Sequence, residues 1–222
     1  MKYLEVPPLS SLCAKINQNT ESGIRLNCRI EVYSCKMSAV QKKLSRKLRE
    51  DYLKDSDDAF VTMTDSSREK MDDPEVCKVY GYLISTLNAS YSDYDFSSLR
   101  PDQFRSIQSV DSAMSDINRH LCEIPEVSQN SVVCDSDSGI DVLASLWKEI
   151  DKAITLRDTL VYTYISDLSE DPLSEGNMWS FNYFFYNKES KKMLFIACSS
   201  KSTFHPSESF STFPVLSQEA TD

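Results

Sequence analysis

The sequence predicts an α+β domain in which central strands are covered by helices on each side. Three observations lead there. "IRLNCRIEVYSC", residues 24–35, alternates apolar and polar residues with period two, the mark of a strand with one buried face. Several segments carry apolar residues at three- and four-residue spacing, as helices docking on a core do. Near the end, "WSFNYFFYNKESKKMLFIACSS", residues 179–200, reads as two strands joined at "NKES", each apolar on both faces. Strands apolar on both faces belong at the centre of a sheet covered on each side.

Along the chain, Leu9, Leu12 and Ile16 make a first helix that stops before Gly23. The strand that follows puts Leu26, Cys28, Ile30 and Val32 on its buried face and Arg25, Asn27, Arg29 and Glu31 on a solvated back. In the segment 38–54, Val40, Leu44, Leu48 and Tyr52 form the narrow stripe of a second helix. Residues 55–75 hold eight acids and two bases without a period and read as a mobile acidic loop. Val76, Val79, Tyr80, Leu83, Ile84 and Leu87 then give a core helix over about 74–90. "SDYDFSSLRPDQF" interrupts, placing Asp93 and Asp95 at a connection, and Ile107, Val110, Met114, Ile117 and Leu121 resume helical spacing. A second acidic loop, 125–139, leads to a helix carrying Ile140, Leu143, Leu146, Trp147, Ile150 and Ile154, and "TLVYTYI" at 159–165 is a strand. The tail, 206–222, has little pattern and reads as loose. At 222 residues the chain needs only one domain.

Composition excludes several functions. The chain begins "MKYLEVPPLSSLC" without the apolar stretch of a signal peptide, and its longest wholly apolar run, "MLFIAC", is far short of the roughly 20 residues of a membrane span. It is therefore expected to stay on the cytosolic side. Seven cysteines without a C-x-x-C pair read as reduced, mostly buried thiols, and His120 and His205 stand alone, which argues against a zinc site. "NAS" at 88–90 matches a glycosylation acceptor but lies within a helical pattern. No phosphate loop, dinucleotide fingerprint, zinc-protease helix or nucleophile elbow is present, and no cofactor is called for. Asp93 and Asp95 lack a neighbouring base, so turn formation explains them before catalysis does. A net charge of −10 repels phosphates, so no direct DNA binding is expected and a basic protein surface is the natural partner. The six basic side chains of segment 38–54 form a solvated helix face.

In the aromatic stretch, Trp179, Phe181, Tyr183 and Phe185 share one face while Phe184 and Tyr186 lie on the other. Rings on a pleated surface are read as core rather than as a ligand cage. Thr62 and Ser66 each precede an acid by three residues and Ser45 ends the basic "KKLS", which makes them the candidate phosphorylation sites.

Three segments, "IEVYSCKM" near the start, "YLISTLNASYSDYDFSSLRPDQF" at 82–104 and "DPLSEGNMWSFNYFFYNK" at 171–188, resemble in order the motifs of the Maf-one repressors of RNA polymerase III. The resemblance implies a non-enzymatic negative regulator with a central antiparallel sheet flanked by helices. It implies binding to the clamp side of the polymerase, interference with recruitment by transcription factor IIIB, and control by kinases and phosphatases under nutrient and stress signals. It also implies shuttling between nucleus and cytoplasm. Tyr33, Ser34, Cys35 and Lys36 match the first motif, Asp93, Tyr94, Asp95, Phe96 and Ser97 the second, and Trp179 to Lys188 the third. The rings and Tyr33, Ser34, Cys35, Tyr94 and Phe96 are assigned mainly to folding; Lys36, Asp93, Asp95 and Lys188 are the candidate partner contacts. Ser92 stands where the family usually has proline, "NKESKK" breaks the basic run that serves relatives as an import signal, and the loop between the first two motifs is short and acidic without R-R-x-S. The alternative reading is a small-ligand sensor or adaptor on a similar sheet.

Overall fold

The computed structural model describes residues 1–18, 23–36, 39, 42–43, 45–48, 50, 73–122, 142–165, 171 and 173–202. The two acidic segments around Thr62, Ser66 and 125–139, the tail, Val40, Leu44, Tyr52, Cys134 and His205 lie outside them.

The chain opens with β1 (Lys2–Leu4), followed by α1 (Pro7–Asn17) and β2 (Ile24–Ser34). Two prolines start α1 where a helix has no use for their missing N–H groups. Gly23 at φ 73° turns the chain into β2. The described residues from 39 to 50 are helical, with Leu48 buried and Lys42, Lys43, Arg46 and Lys47 exposed, so this basic face is solvated. Next come α2 (Pro74–Ser90), a 3-10 turn (Pro101–Gln103), β3 (Phe104–Ile107) and α3 (Val110–Cys122). The Asp73 carboxylate caps α2 by accepting from Glu75 N–H at 2.8 Å, with Pro74 at the first helical position. Then α4 (Val142–Ile154) leads through a second 3-10 turn (Leu156–Asp158) to β4 (Thr159–Tyr164), β5 (Trp179–Asn187) and β6 (Lys192–Ser202).

The six strands form one sheet in the order β1-β2-β6-β5-β4-β3, antiparallel at every pairing. Its central strands are the predicted hairpin, and helices cover both sides. On one side, Leu9, Ile16, Ile117, Leu121, Leu146 and Ile150 pack against Cys28, Ile30, Phe181, Phe185 and Ile196. On the other, Leu83, Ile84, Leu87 and Phe96 pack against Tyr33, Phe184, Tyr186 and Phe195. The division of rings between faces is therefore the predicted one. Phe184, Phe185 and Phe195 have no accessible surface, each contributing about 1.5–3 kcal/mol of burial free energy.

Three local expectations are corrected. Ile107 does not begin a helix: it ends β3, a four-residue edge strand in which Phe104 is buried against Tyr164 and Phe184 while Arg105 and Ser106 stay exposed. The opening residues, which show no strand pattern, form β1 because Leu4 can pair with Val32. The back of β2 is solvated only at Arg25 and Asn27. Arg29 is half-covered because α2 ends over it: Arg29 Nη1 donates to Ser90 O at 2.6 Å and its guanidinium lies 4.7 Å from the Tyr91 ring centroid. Tyr33 is buried in the core layer with Tyr82 and Phe195 and packs edge-on to Tyr3.

Candidate functional surface

The three motif segments meet in the core layer beneath α2. The first enters at the end of β2, where Tyr33 packs edge-on to Tyr3 and donates its hydroxyl to Glu31 at 2.8 Å. Ser34 stands between Lys2 and Lys192 in the sheet register, and Cys35 N–H donates to Lys191 O at 2.7 Å, which fastens this motif to the β5–β6 turn. Cys35 is buried, and burial pushes its thiol up to about 12. Lys36 is exposed.

The second motif is α2 with the turn after it. Asn88, in the last turn of the helix, accepts from Phe96 N–H at 2.7 Å, which folds the chain back so that the Phe96 ring meets Tyr91 and Tyr164. Asp95 accepts from Ser97 N–H at 2.9 Å, the hydrogen bond of an Asx turn. Hydrogen bonding with Ser97 holds its carboxyl below the usual carboxylate range. Asp93, Tyr94 and Asp95 all face solvent.

The third motif opens with Asp171, a buried carboxylate that accepts from the Tyr164 hydroxyl at 2.6 Å and from Leu173 N–H at 2.8 Å. Its carbonyl accepts from Ser174 and Glu175 N–H, so one residue both caps the loop and ties it to β4. In β5, the Asn182 amide accepts from Tyr164 N–H at 2.7 Å and donates to Tyr164 O at 2.8 Å, continuing the β4–β5 ladder where the strands part. Asn187 Nδ2 donates to Ile154 O at 2.9 Å beside Thr155, whose φ of 56° ends α4. The Tyr82 and Tyr186 rings, 5.7 Å apart, join the second motif to the third. On the opposite face Trp179 and Phe181 stack at 6.1 Å with His120 beside both, and Tyr183 donates to Asp116 at 2.6 Å.

The motifs thus converge as core, and the four charged residues expected as contacts, Lys36, Asp93, Asp95 and Lys188, stay exposed outside it, at two poles. Lys188 lies in the β5–β6 turn, 3.9 Å from Glu75 at the start of α2, and Lys36 follows the Cys35 tie to that turn. Asp93 and Asp95 follow the other end of α2, a helix of 17 residues and so about 25 Å long. Asp171, Asn182, Asn187 and Asn88 were not singled out by sequence reasoning. For Asn182 and Asn187 the available signal was asparagine within an aromatic strand, a placement that strand propensity disfavours. Ser45 is half-buried with its hydroxyl enclosed.

A cavity of about 280 Å³ lies away from the motif rings, between the β1–α1 connection and the end of α4, lined by Leu4, Val6, Val32, Glu149, Lys152 and Lys192 among others. Its cations are occupied: Lys152 pairs with Glu149 and Lys192 donates to Ala153 O. Among the described residues no three His, Cys, Asp or Glu side chains are grouped to hold a metal ion, and no helix is long and apolar enough to cross a membrane.

Residues 26–197 match the model of the Maf1 regulator family, a span that contains all three converging motifs. The chain belongs to the Maf1 regulator family. Relatives of this Maf1 chain include a Schizosaccharomyces pombe protein named repressor of RNA polymerase III transcription, 29% identical over 207 residues that cover 89% of this chain and 82% of the relative. A Dictyostelium discoideum protein of the same name is 27% identical, covering 89% of this chain and 84% of that one. The crystal structure of citrus MAF1 superposes with a TM-score of 0.66 at 26% identity, covering 88% of this chain and 99% of that chain. The Maf1 fold is therefore shared by the two chains.

Proposed function

We propose that this protein represses transcription by RNA polymerase III, acting by binding rather than by catalysis. The supporting observation is the family match across a span whose three motifs meet beneath α2, together with relatives, matched over 82% and 84% of their length, named for that repression. Repression of this kind is competition: a bound repressor occupies or rearranges the clamp-side surface that transcription factor IIIB engages, so initiation falls as occupancy rises.

The deciding experiment is retention of purified RNA polymerase III by the recombinant, dephosphorylated chain at near-physiological salt, with RNA polymerase II as control. Selective retention, followed by loss of promoter-dependent transcription that excess transcription factor IIIB restores, is the expected result. A folded chain that retains neither polymerase overturns the reading.

Lys36, Asp93, Asp95 and Lys188 are proposed as contacts, exposed at the two poles of α2. Phosphorylation at Thr62 and Ser66 adds charge to a segment with eight acids and weakens docking on a basic partner. Acidic mimics at both positions are expected to lower polymerase affinity; equal affinity for mimic and unmodified chain would discard this control. Ser45 fits such control less well, since a phosphate there must displace its helix from the core. Nuclear entry and exit governed by the same phosphorylation is the proposed localisation, checked by imaging the mimic and an alanine variant in starved and fed cells.

A further inference from the structure

Cys13, Cys28 and Cys198 come from three different elements and meet inside the core layer under α1. Cys13 lies on α1 and is half-exposed, whereas Cys28 on β2 and Cys198 on β6 are buried. The Cys13 thiol donates to Cys28 O at 3.0 Å and lies 3.7 Å from Asn17 Nδ2, which donates toward the sulfur. The same Asn17 side chain takes both backbone groups of Cys28: its Oδ1 accepts from Cys28 N–H at 2.6 Å and its Nδ2 donates to Cys28 O at 2.9 Å. Cys28 is thus held in place by α1 on the edge of β2 that β1, paired only with residues 32–34, leaves open. Since its N–H and C=O point away from β6, Cys28 and Cys198 form a non-hydrogen-bonded cross-strand pair, with their side chains at close approach.

We propose that Cys13 and Cys28 are an oxidation site: a hydroperoxide converts them to a disulfide that staples α1 to β2. Two features of the cluster suit the pair to this chemistry. Hydrogen bonding from Cys28 lowers the Cys13 thiol from its ordinary value, which favours the nucleophilic thiolate at the accessible position. Hydrogen bonding with Cys13 and Cys198 and burial raise Cys28 well above its ordinary value, which makes Cys13 the sulfur that meets the peroxide first and leaves Cys28 to give up its proton only as it attacks. The Cys13 thiolate attacks the peroxide, breaking the O–O bond; the sulfur gains hydroxyl as a sulfenic acid, and the other oxygen leaves as water or alcohol after taking a proton from solvent. Cys28 sulfur then attacks Cys13 sulfur, the S–O bond breaks, and the hydroxyl departs with the Cys28 proton as water. The peroxide is reduced by two electrons and the two thiols are oxidised by two; a dithiol reductant reverses the step.

The test uses the full chain carrying Cys122→Ser and Cys134→Ser, which removes an exposed thiol and one outside the described fold. It is treated with equimolar hydrogen peroxide, alkylated, digested with trypsin and mapped by mass spectrometry without reduction. Trypsin sites at Lys15, Arg25 and Arg29 separate the Cys13 and Cys28 peptides from each other and from Cys35. The expected product is a Cys13–Cys28 linked peptide, two hydrogens lighter than the sum of its parts, cleared by dithiothreitol and abolished by Cys13→Ser. A link between Cys28 and Cys198, Cys13 oxidised to sulfinic acid without a link, or all three thiols free after treatment overturns the proposal. The wild-type chain, mapped the same way, gives the answer even if a variant folds poorly.

Discussion

Asparagine side chains stand in for backbone at two places in this sheet. Asn182 extends β5 to Tyr164 where β4 turns away, and Asn17 closes the open edge of β2 at Cys28. A buried peptide group without a partner costs about 1–3 kcal/mol, so Asn182→Leu, which keeps the branching of the side chain and removes both bonds, is expected to lower stability by about 2 kcal/mol or more. The urea midpoint should fall with little change in slope. Tyr164→Phe removes the hydroxyl that serves the buried Asp171 carboxylate and is expected to cost about 1.5–3 kcal/mol in the same measurement. Titration of buried acids makes a further prediction. Burial raises Cys35 from 9.0 and Tyr162 from 10.0, each to about 12 in the folded state. The folded state then holds these protons more tightly than the unfolded chain, so their contribution is complete below pH 9 and is lost as pH rises from 9 to 12. Thermal melts should show the decline starting near pH 9, and Cys35→Ala should lessen its earliest part, to which the raised Cys28 thiol also contributes.

The β5–β6 hairpin anchors the whole assembly, since both core layers are built on its two faces. Phe184 meets Phe195 across the strands at 4.7 Å and Phe104 of β3 at 6.2 Å. Phe184→Ala leaves a cavity at the junction of three strands and is expected to cost about 3–5 kcal/mol, enough to unfold much of a marginally stable domain, as circular dichroism at 37 °C would report. The turn of this hairpin contains Lys191 in the left-handed region at φ 53°, where a side chain is strained. Lys191→Gly is expected to raise stability by up to about 1 kcal/mol, with relief of strain partly offset by a more flexible unfolded chain. In α2, the Asp73 cap and the Asn88 hook hold the two ends, so the helix delivers the second motif against the sheet at a fixed position.

Taken together, the molecule is an acidic body with its four expected contact charges at two separated poles. Lys36 and Lys188 stand at the start of α2, Asp93 and Asp95 at its end. Sites this far apart share no partner within the fold, so polymerase-binding losses from Lys36→Glu with Lys188→Glu and from Asp93→Lys with Asp95→Lys should add in free energy. Retention assays on the two double variants and their combination test this. A pole whose reversal leaves both fold and binding unchanged is not a contact.

Helix and strand positions were legible in the sequence because burial of one face leaves a period in the chain. Leu9, Leu12 and Ile16, the alternation from Leu26 to Val32, and the two-faced rings of β5 each announce their element and its apolar side. Central strands covered by helices on both sides follow from those patterns. Tertiary structure alone decided the rest. β1 and β3, three and four residues long, are too short to carry a period and exist because Val32 and Tyr164 offer them a register. The partners of Asn182, Asp171 and Arg29 lie 18, 7 and 61 residues away along the chain, so no local spacing reveals that these polar groups are satisfied. The three motifs were visible one by one, but their meeting beneath α2, and the parting of their charges to its two ends, depends on strand order. Strand order is set by which distant edges pair, and periodicity records only which side of an element is buried.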